Sequence, residues 1–128
     1  MRVLLDTHVL IWWVYDAPEL NRTSREILEN NANSGVISAA SAWEMAIKYQ
    51  LGRLPHAAEL VTNFSGLMEI VDFELLPISA EHGVRAGLLP VHHKDPFDRV
   101  LIAQAQAESM PIVSNDPIFD SYGVRRLW

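Results

Sequence analysis

Cysteine is absent from this 128-residue sequence, which excludes disulfides and thiolate metal sites. The absence fits a reducing compartment but does not by itself prove one. Long hydrophobic runs are missing as well. The most apolar stretch, Val3 to Val14, is interrupted by Asp6 and His8 and is too short to span a bilayer. It also lacks the small-residue cleavage site that a signal peptide would need. The expectation is a soluble, unexported, cytoplasmic chain. Positive charge is scarce: ten Lys and Arg stand against sixteen Asp and Glu, a net charge of −6. Nucleic-acid binders are usually basic, so this balance taken alone counts against a polyanionic partner. The objection weakens if several carboxylates converge on one metal site, because bound cations invert the local field. Where the acids fall matters more than their sum.

What is present suits one folded domain, residues 1–128, with enough length for a sizeable core. The 49% hydrophobic and 20% charged content is ordinary for a globular chain. Four Trp is generous, and some of that apolar surface is available to a partner or a dimer. Short β-rich runs alternate with helical stretches. Strands are expected at Val3–Leu5, Gly35–Ser38, Phe73–Ile78, Pro111–Ser114 and Val124–Trp128. Helices are expected at Val9–Tyr15, at Asn21–Asn33 with Thr23 or Ser24 as cap, and at Ser41–Gln50. A helical pattern over Ala57–Val71 breaks near Ser65-Gly66, and Ser79 caps a short helix ending near Leu89-Pro90. The last helix opens at Asp95-Pro96, an acid at the cap and proline in the first turn, and runs to Ser109. Such alternation predicts an α/β fold: a parallel central sheet of about five strands with helices on both faces. No repeat, low-complexity tract or long linker divides the chain.

In a sheet of this kind ligands bind beyond the carboxyl ends of the strands, where the strand order reverses. Four acids fall near that edge. Asp6 directly follows strand one, Glu44 lies on the helix after strand two, Asp98 is in the first turn of the last helix, and Asp116 follows strand four. Each has a plainer alternative. Asp6 could cap the next helix, yet it sits between Leu5 and Val9-Leu10-Ile11, where a bare carboxylate is costly to desolvate. Glu44 has Lys48 four residues on, the spacing of a solvated helix pair, but shares a stripe with Ala40, Ile47 and Leu51. Asp98 suits a helix dipole, but it lines up with Leu101, Ile102 and Ala105 on the apolar side. Asp116 begins the turn signal Asp-Pro. Asp95 reads as a cap before it reads as a ligand.

Four carboxylates aimed at one crevice repel one another, and their pKa values rise unless a cation resolves the conflict. Oxygen ligands without Cys favour Mg²⁺, with Mn²⁺ as a substitute, over Zn²⁺. An acidic cluster holding such ions is an arrangement that cleaves phosphodiesters. Here the sequence resembles a known family. The blocks are Asp6-Thr7-His8; Ser41-Ala42-Trp43-Glu44 through Lys48 to Leu51-Gly52-Arg53-Leu54; His93-Lys94-Asp95-Pro96-Phe97-Asp98-Arg99 into Leu101-Ile102-Ala103-Gln104-Ala105; Ser114-Asn115-Asp116-Pro117; and Tyr122-Gly123 to Trp128. In this order they resemble PIN domains of the VapC toxin type across essentially the whole chain. The resemblance implies an Mg²⁺-dependent endoribonuclease with Asp6, Glu44, Asp98 and Asp116 as metal-binding and catalytic residues. It further implies an RNA substrate, a homodimer, and neutralisation by a cognate antitoxin, as in a type II toxin–antitoxin pair. Ser114 stands where the family often has Thr, which keeps the hydroxyl.

Supporting residues are more open. Thr7 and Ser114 offer hydroxyls to water or phosphate at the site, or to backbone caps. His92 and His93 suggest a general base, although surface or structural roles suit them better. Lys48, Arg53, Lys94 and Arg99 could form an RNA-contacting rim or a solvated charged face. Trp12, Trp13 and Trp43 fit core or interface better than base stacking. One alternative is a catalytically inert PIN-like module that binds RNA or protein; retention of all four acids argues against it. The other is an Mg²⁺-dependent phosphoryl-transfer protein. A haloacid-dehalogenase-like site would need an Asp where His8 stands, a receiver-like site would need paired acids before its phospho-acceptor Asp, and no glycine-rich phosphate loop is present.

Overall fold

Val3, Leu4 and Leu5 are fully buried, and successive strand residues point to opposite faces. Val3 and Leu5 join one core with Ile37 and Val113, whereas Leu4 joins a second with Val36 and Ile112. Strands apolar on both faces must be covered on both faces, and helices do so here. A computed structural model describes residues 1–128. Its elements are β1 (Arg2–Leu5), α1 (Thr7–Val14), α2 (Arg22–Glu29), β2 (Ser34–Ser38), α3 (Ala39–Gln50), α4 (Ala58–Thr62), α5 (Phe64–Val71), β3 (Glu74–Leu76), α6 (Ala80–Leu88), α7 (Pro96–Ala107), β4 (Ile112–Val113) and β5 (Arg126–Leu127). Short 3₁₀ turns cover Pro55–Ala57 and Pro117–Tyr122. No helix is long and apolar enough to cross a membrane.

All five strands are parallel, in the order β3-β2-β1-β4-β5. The chain builds outward from β1 to β3, then crosses back to lay β4 on the other side of β1. The order therefore reverses between β1 and β4, and a crevice opens at their carboxyl ends. On one face the core takes Val9 and Leu10 from α1, Met45 from α3, Leu60 from α4 and Met68 from α5. On the other, α7 contributes Leu101, Ile102 and Ala105, and the second 3₁₀ turn contributes Phe119 and Tyr122.

Several boundaries differ from the sequence pattern for local reasons. Asn21, not Thr23 or Ser24, caps α2: its Oδ1 accepts from Ser24 N–H at 2.8 Å, and Ser24 is buried inside the helix. The break within residues 57–71 falls at Asn63, whose backbone leaves the helical region, rather than at Ser65-Gly66. Strand three shortens to Glu74–Leu76, and strand four to Ile112–Val113. Gly35 is required on β2, because a Cβ there would stand 2.5 Å from the Phe73 ring. Ile47 and Leu51 are exposed, so the buried side of α3 is instead made by Ala40, Ser41, Glu44 and Met45.

Candidate functional site

β1 ends at Leu5, and Asp6 follows while the backbone is still non-helical. Its N–H donates to Val113 O at 3.0 Å, which keeps the residue at the edge of the sheet. Across the crevice, the Ser114 hydroxyl donates to Asp6 Oδ2 at 2.7 Å and accepts from Asp116 N–H at 3.0 Å. One buried hydroxyl thus ties the ends of β1 and β4 together. Asp116 Oδ1 accepts from Ile118 N–H at 3.0 Å, so the turn role of Asp116-Pro117 is present and occupies one of its oxygens. Asp6 and Asp116 line a shallow cavity of about 380 Å³ with His8, Trp12 and Asn115.

Glu44 reaches the site from α3 and is only 3% exposed. Thr7 Oγ1 lies 2.6 Å from Glu44 Oε1 and 2.9 Å from Ser41 Oγ. A hydroxyl has one hydrogen, and the carboxylate is the stronger acceptor, so Thr7 donates to Glu44 and accepts from Ser41. Lys48 Nζ stands 2.5 Å from Glu44 Oε2. The helix pair expected from the spacing does form, but its acid is buried rather than solvated.

Asp98 enters from α7, whose cap is Asp95: Asp95 Oδ1 accepts from Phe97 N–H at 2.9 Å and Asp98 N–H at 3.0 Å. Asp98 is part-buried, its side chain 18% exposed, one turn before the buried Leu101, Ile102 and Ala105. His93 Nε2 lies 2.7 Å from Asp98 Oδ2. His93, Asp95 and Asp98 offer donor atoms all within 4.8 Å of one another. Sequence reasoning gave His93 a surface or structural role. Its proximity to Asp98 depends on the tight turn before Pro96, and the motif alone does not fix that turn.

Burial raises the pKa of Asp6; the nearby Glu44 charge adds to the effect, while Ser114 and His8 oppose it. Asp98 is pushed up to about 6, chiefly by burial, with Asp6, Asp95 and Glu44 adding and the His93 hydrogen bond opposing. Asp6, Glu44 and Asp98 therefore lie in one another's field. Asp116 joins them through Ser114 and the shared cavity. Oxygen donors predominate, one imidazole stands beside them, and sulfur is absent. This set suits a hard divalent cation such as Mg²⁺ or Mn²⁺, and a cation would relieve the mutual repulsion of the carboxylates. His93, Asp95 and Asp98 have donor atoms close enough to share such an ion, and Asp6 and Glu44 add negative charge to their surroundings.

A pH effect follows. Folded Asp98 keeps its proton to about pH 6, whereas the ordinary value is 3.8. Between these values the folded state binds more protons, so stability falls as pH rises through the window. In EDTA the parent should gain stability relative to Asp98→Asn on going from pH 7 to pH 5. A divalent ion should reverse that trend, because ionised carboxylates bind it better. Melting curves at both pH values check this, and a parent that loses ground to the variant at pH 5 in EDTA would contradict the shared site.

The basic residues separate. Arg99 is not free to line a rim: its guanidinium donates to the carbonyls of Ala86, Leu89, Pro90 and His93 at 2.9–3.1 Å. Lys48 is held by Glu44, while Arg53 and Lys94 are exposed. Trp12 and Trp13 pack half-buried against the core, but Trp43 is 60% exposed and meets only the edge of Phe97, with ring centroids 5.0 Å apart. The largest cavity, about 700 Å³, lies away from the acids, along α6 beside Val84, Leu88 and Pro90.

A family model described as PIN domain matches residues 3–124. Ribonuclease VapC16 of Mycobacterium tuberculosis is 54% identical over 39 residues, which is 30% of this chain and 27% of that protein. The match therefore spans about a quarter of the relative's length. A chain in the crystal structure of VapBC2 from Rickettsia felis, bound to a DNA fragment from their promoter, superposes with a TM-score of 0.63. The two are 17% identical, and the superposition covers 100% of each chain. A toxin-antitoxin complex from Klebsiella pneumoniae gives a TM-score of 0.57 at 17% identity, covering 90% of this chain and 87% of that one. At these identities the likeness shows the fold.

Proposed function

Because this chain belongs to the PIN-domain family, we propose that it is an Mg²⁺-dependent endoribonuclease, residues 1–128 forming one nuclease domain. The observation that carries the reading is that Asp98, whose donor atoms lie close to those of His93 and Asp95, is also raised by the charges of Asp6 and Glu44, which come from two other parts of the chain. Asp116 completes the set from the far side of Ser114. When bound, the divalent ion supplies polarisation of water and phosphate and offsets charge on the leaving oxygen, with Mn²⁺ able to replace Mg²⁺. Asp6, Glu44, Asp98 and Asp116 would hold it. Ser114, Thr7 and His93 act on the carboxylates: each fixes one oxygen by a hydrogen bond and so fixes the direction of the other. Arg53 and Lys94 are the exposed cations left for phosphate contacts.

The physiological reading is a cytoplasmic toxin, active as a homodimer and silenced by a cognate antitoxin. It is supported by the ribonuclease named VapC16 and by the toxin–antitoxin complex of the same fold. Expressing the chain alone should arrest growth, and co-expressing its genomic neighbour should relieve the arrest. Equal growth in both cases, with folded protein present, removes the toxin role. The nuclease reading is tested separately on total cellular RNA with Mg²⁺ or with excess EDTA. New ends should appear only with Mg²⁺, and they should lack cyclic phosphate because water rather than the ribose 2′-hydroxyl attacks phosphorus. No cleavage in either condition would favour an inert binding module.

A further inference from the structure

Lys48 is the only Lys or Arg paired with any of the four candidate acids. An exposed i,i+4 pair contributes little and is readily lost to water. This pair differs, because the Glu44 side chain is 4% exposed and that of Lys48 28%. The ammonium has been drawn inward to a carboxylate that water cannot reach. Glu44 Oε1 is already served by the Thr7 hydroxyl, so Lys48 holds the remaining oxygen, Oε2. The Glu44 charge acts on both Asp6 and Asp98, so a divalent ion drawn to these carboxylates would compete with Lys48 for Glu44. An ammonium and a divalent cation on one oxygen repel strongly in a partly buried setting. The lysine stem is long and flexible, rises from the last turn of α3, and is part-exposed, so the amine has a path to solvent.

We propose that Lys48 is a tethered counter-cation that neutralises Glu44 in the metal-free protein and is displaced by the divalent ion, which frees its amine to bind a phosphate of the RNA strand. The inference rests on reading the acids as a metal site, and it assigns Lys48 a positioning role before a binding one. It explains how a buried acidic cluster survives without metal, and it makes substrate binding depend on metal loading.

Lys48 and Lys94 are the only lysines, which gives the parent protein an internal standard. Amine acetylation followed by peptide mass spectrometry should show Lys48 protected in EDTA and labelled several-fold faster in saturating Mn²⁺, with exposed Lys94 unchanged. Equal Lys48 labelling in both conditions would overturn the proposal. Mn²⁺ titration by calorimetry adds a second arm. Lys48→Met should bind Mn²⁺ several-fold more tightly than the parent, Lys48→Arg should stay near the parent, and Arg53→Met should move less than twofold. Equal tightening in Lys48→Met and Arg53→Met would reduce the effect to general charge and overturn the exchange. At saturating Mn²⁺, Lys48→Met should raise KM for an RNA oligonucleotide more than it lowers kcat. If the parent binds no Mn²⁺, the metal reading itself fails and this inference falls with it. If the parent binds Mn²⁺ and Lys48 labelling does not respond, the metal reading stands and only the exchange is lost.

Discussion

Asp98→Asn should lose RNA cleavage by orders of magnitude, yet the metal-free variant should melt no lower than its parent. Asn keeps the shape of Asp and its place in the first turn of α7, but it removes one charge from a crowded set. In EDTA that charge is a standing cost of ~1 kcal/mol, inferred from the shifts that like charges impose. Relieving it should raise the melting temperature by roughly 2–5 °C in a domain of this size. With Mg²⁺ the order should narrow or reverse, because only the parent gains full stabilisation from the bound ion. An acid serving only the dipole of α7 behaves in the opposite way: its loss costs roughly 0.3–1 kcal/mol and spares activity. One melting series with and without Mg²⁺, beside one cleavage assay, separates the two.

Arg99→Met should be the more damaging change to the fold. Its guanidinium donates to four backbone carbonyls, that of Ala86 in the last turn of α6 and those of Leu89, Pro90 and His93 in the connection to α7. Hydrogen bonds to a charged group contribute about 1.5–3 kcal/mol each, with part recovered by water at a half-exposed site, so a net loss of roughly 2–4 kcal/mol is expected. Lysine should restore little, because one ammonium lacks the planar fork that spans several carbonyls. Urea denaturation of Arg99→Met and Arg99→Lys measures this. Activity should fall as well, since the stapled connection carries His93 and Asp95, the partners of Asp98. A cation that merely lined an RNA rim would give another result: unchanged stability, and a salt dependence of RNA binding reduced by about one counterion.

The fold was legible because its signals are local and repeated. Val3-Leu4-Leu5 is apolar at every position, as a strand covered on both faces must be, and Asp95-Pro96 marks the start of a helix by cap and first turn alone. The same logic fails at Asn63, where a non-helical backbone splits one helical pattern and no proline or glycine announces it. The four acids were legible as positions relative to strand ends. Their partners were not. That Ser114 holds Asp6, that His93 meets Asp98 and that Arg99 turns inward all depend on side-chain direction after packing, which spacing does not encode. On α3 the stripe read through Ile47 and Leu51 is exposed, and Glu44 is buried with Ala40, Ser41 and Met45.

The hydrogen bond from Ser114 to Asp6 joins residues 108 positions apart in the chain. Its formation closes a long loop, and such non-local contacts come late and slowly in folding. During synthesis, Asp6 and Glu44 are made first, Asp98 much later, and Ser114 with Asp116 later still. The set of four acids therefore stays incomplete until β4 has been made and has docked beside β1.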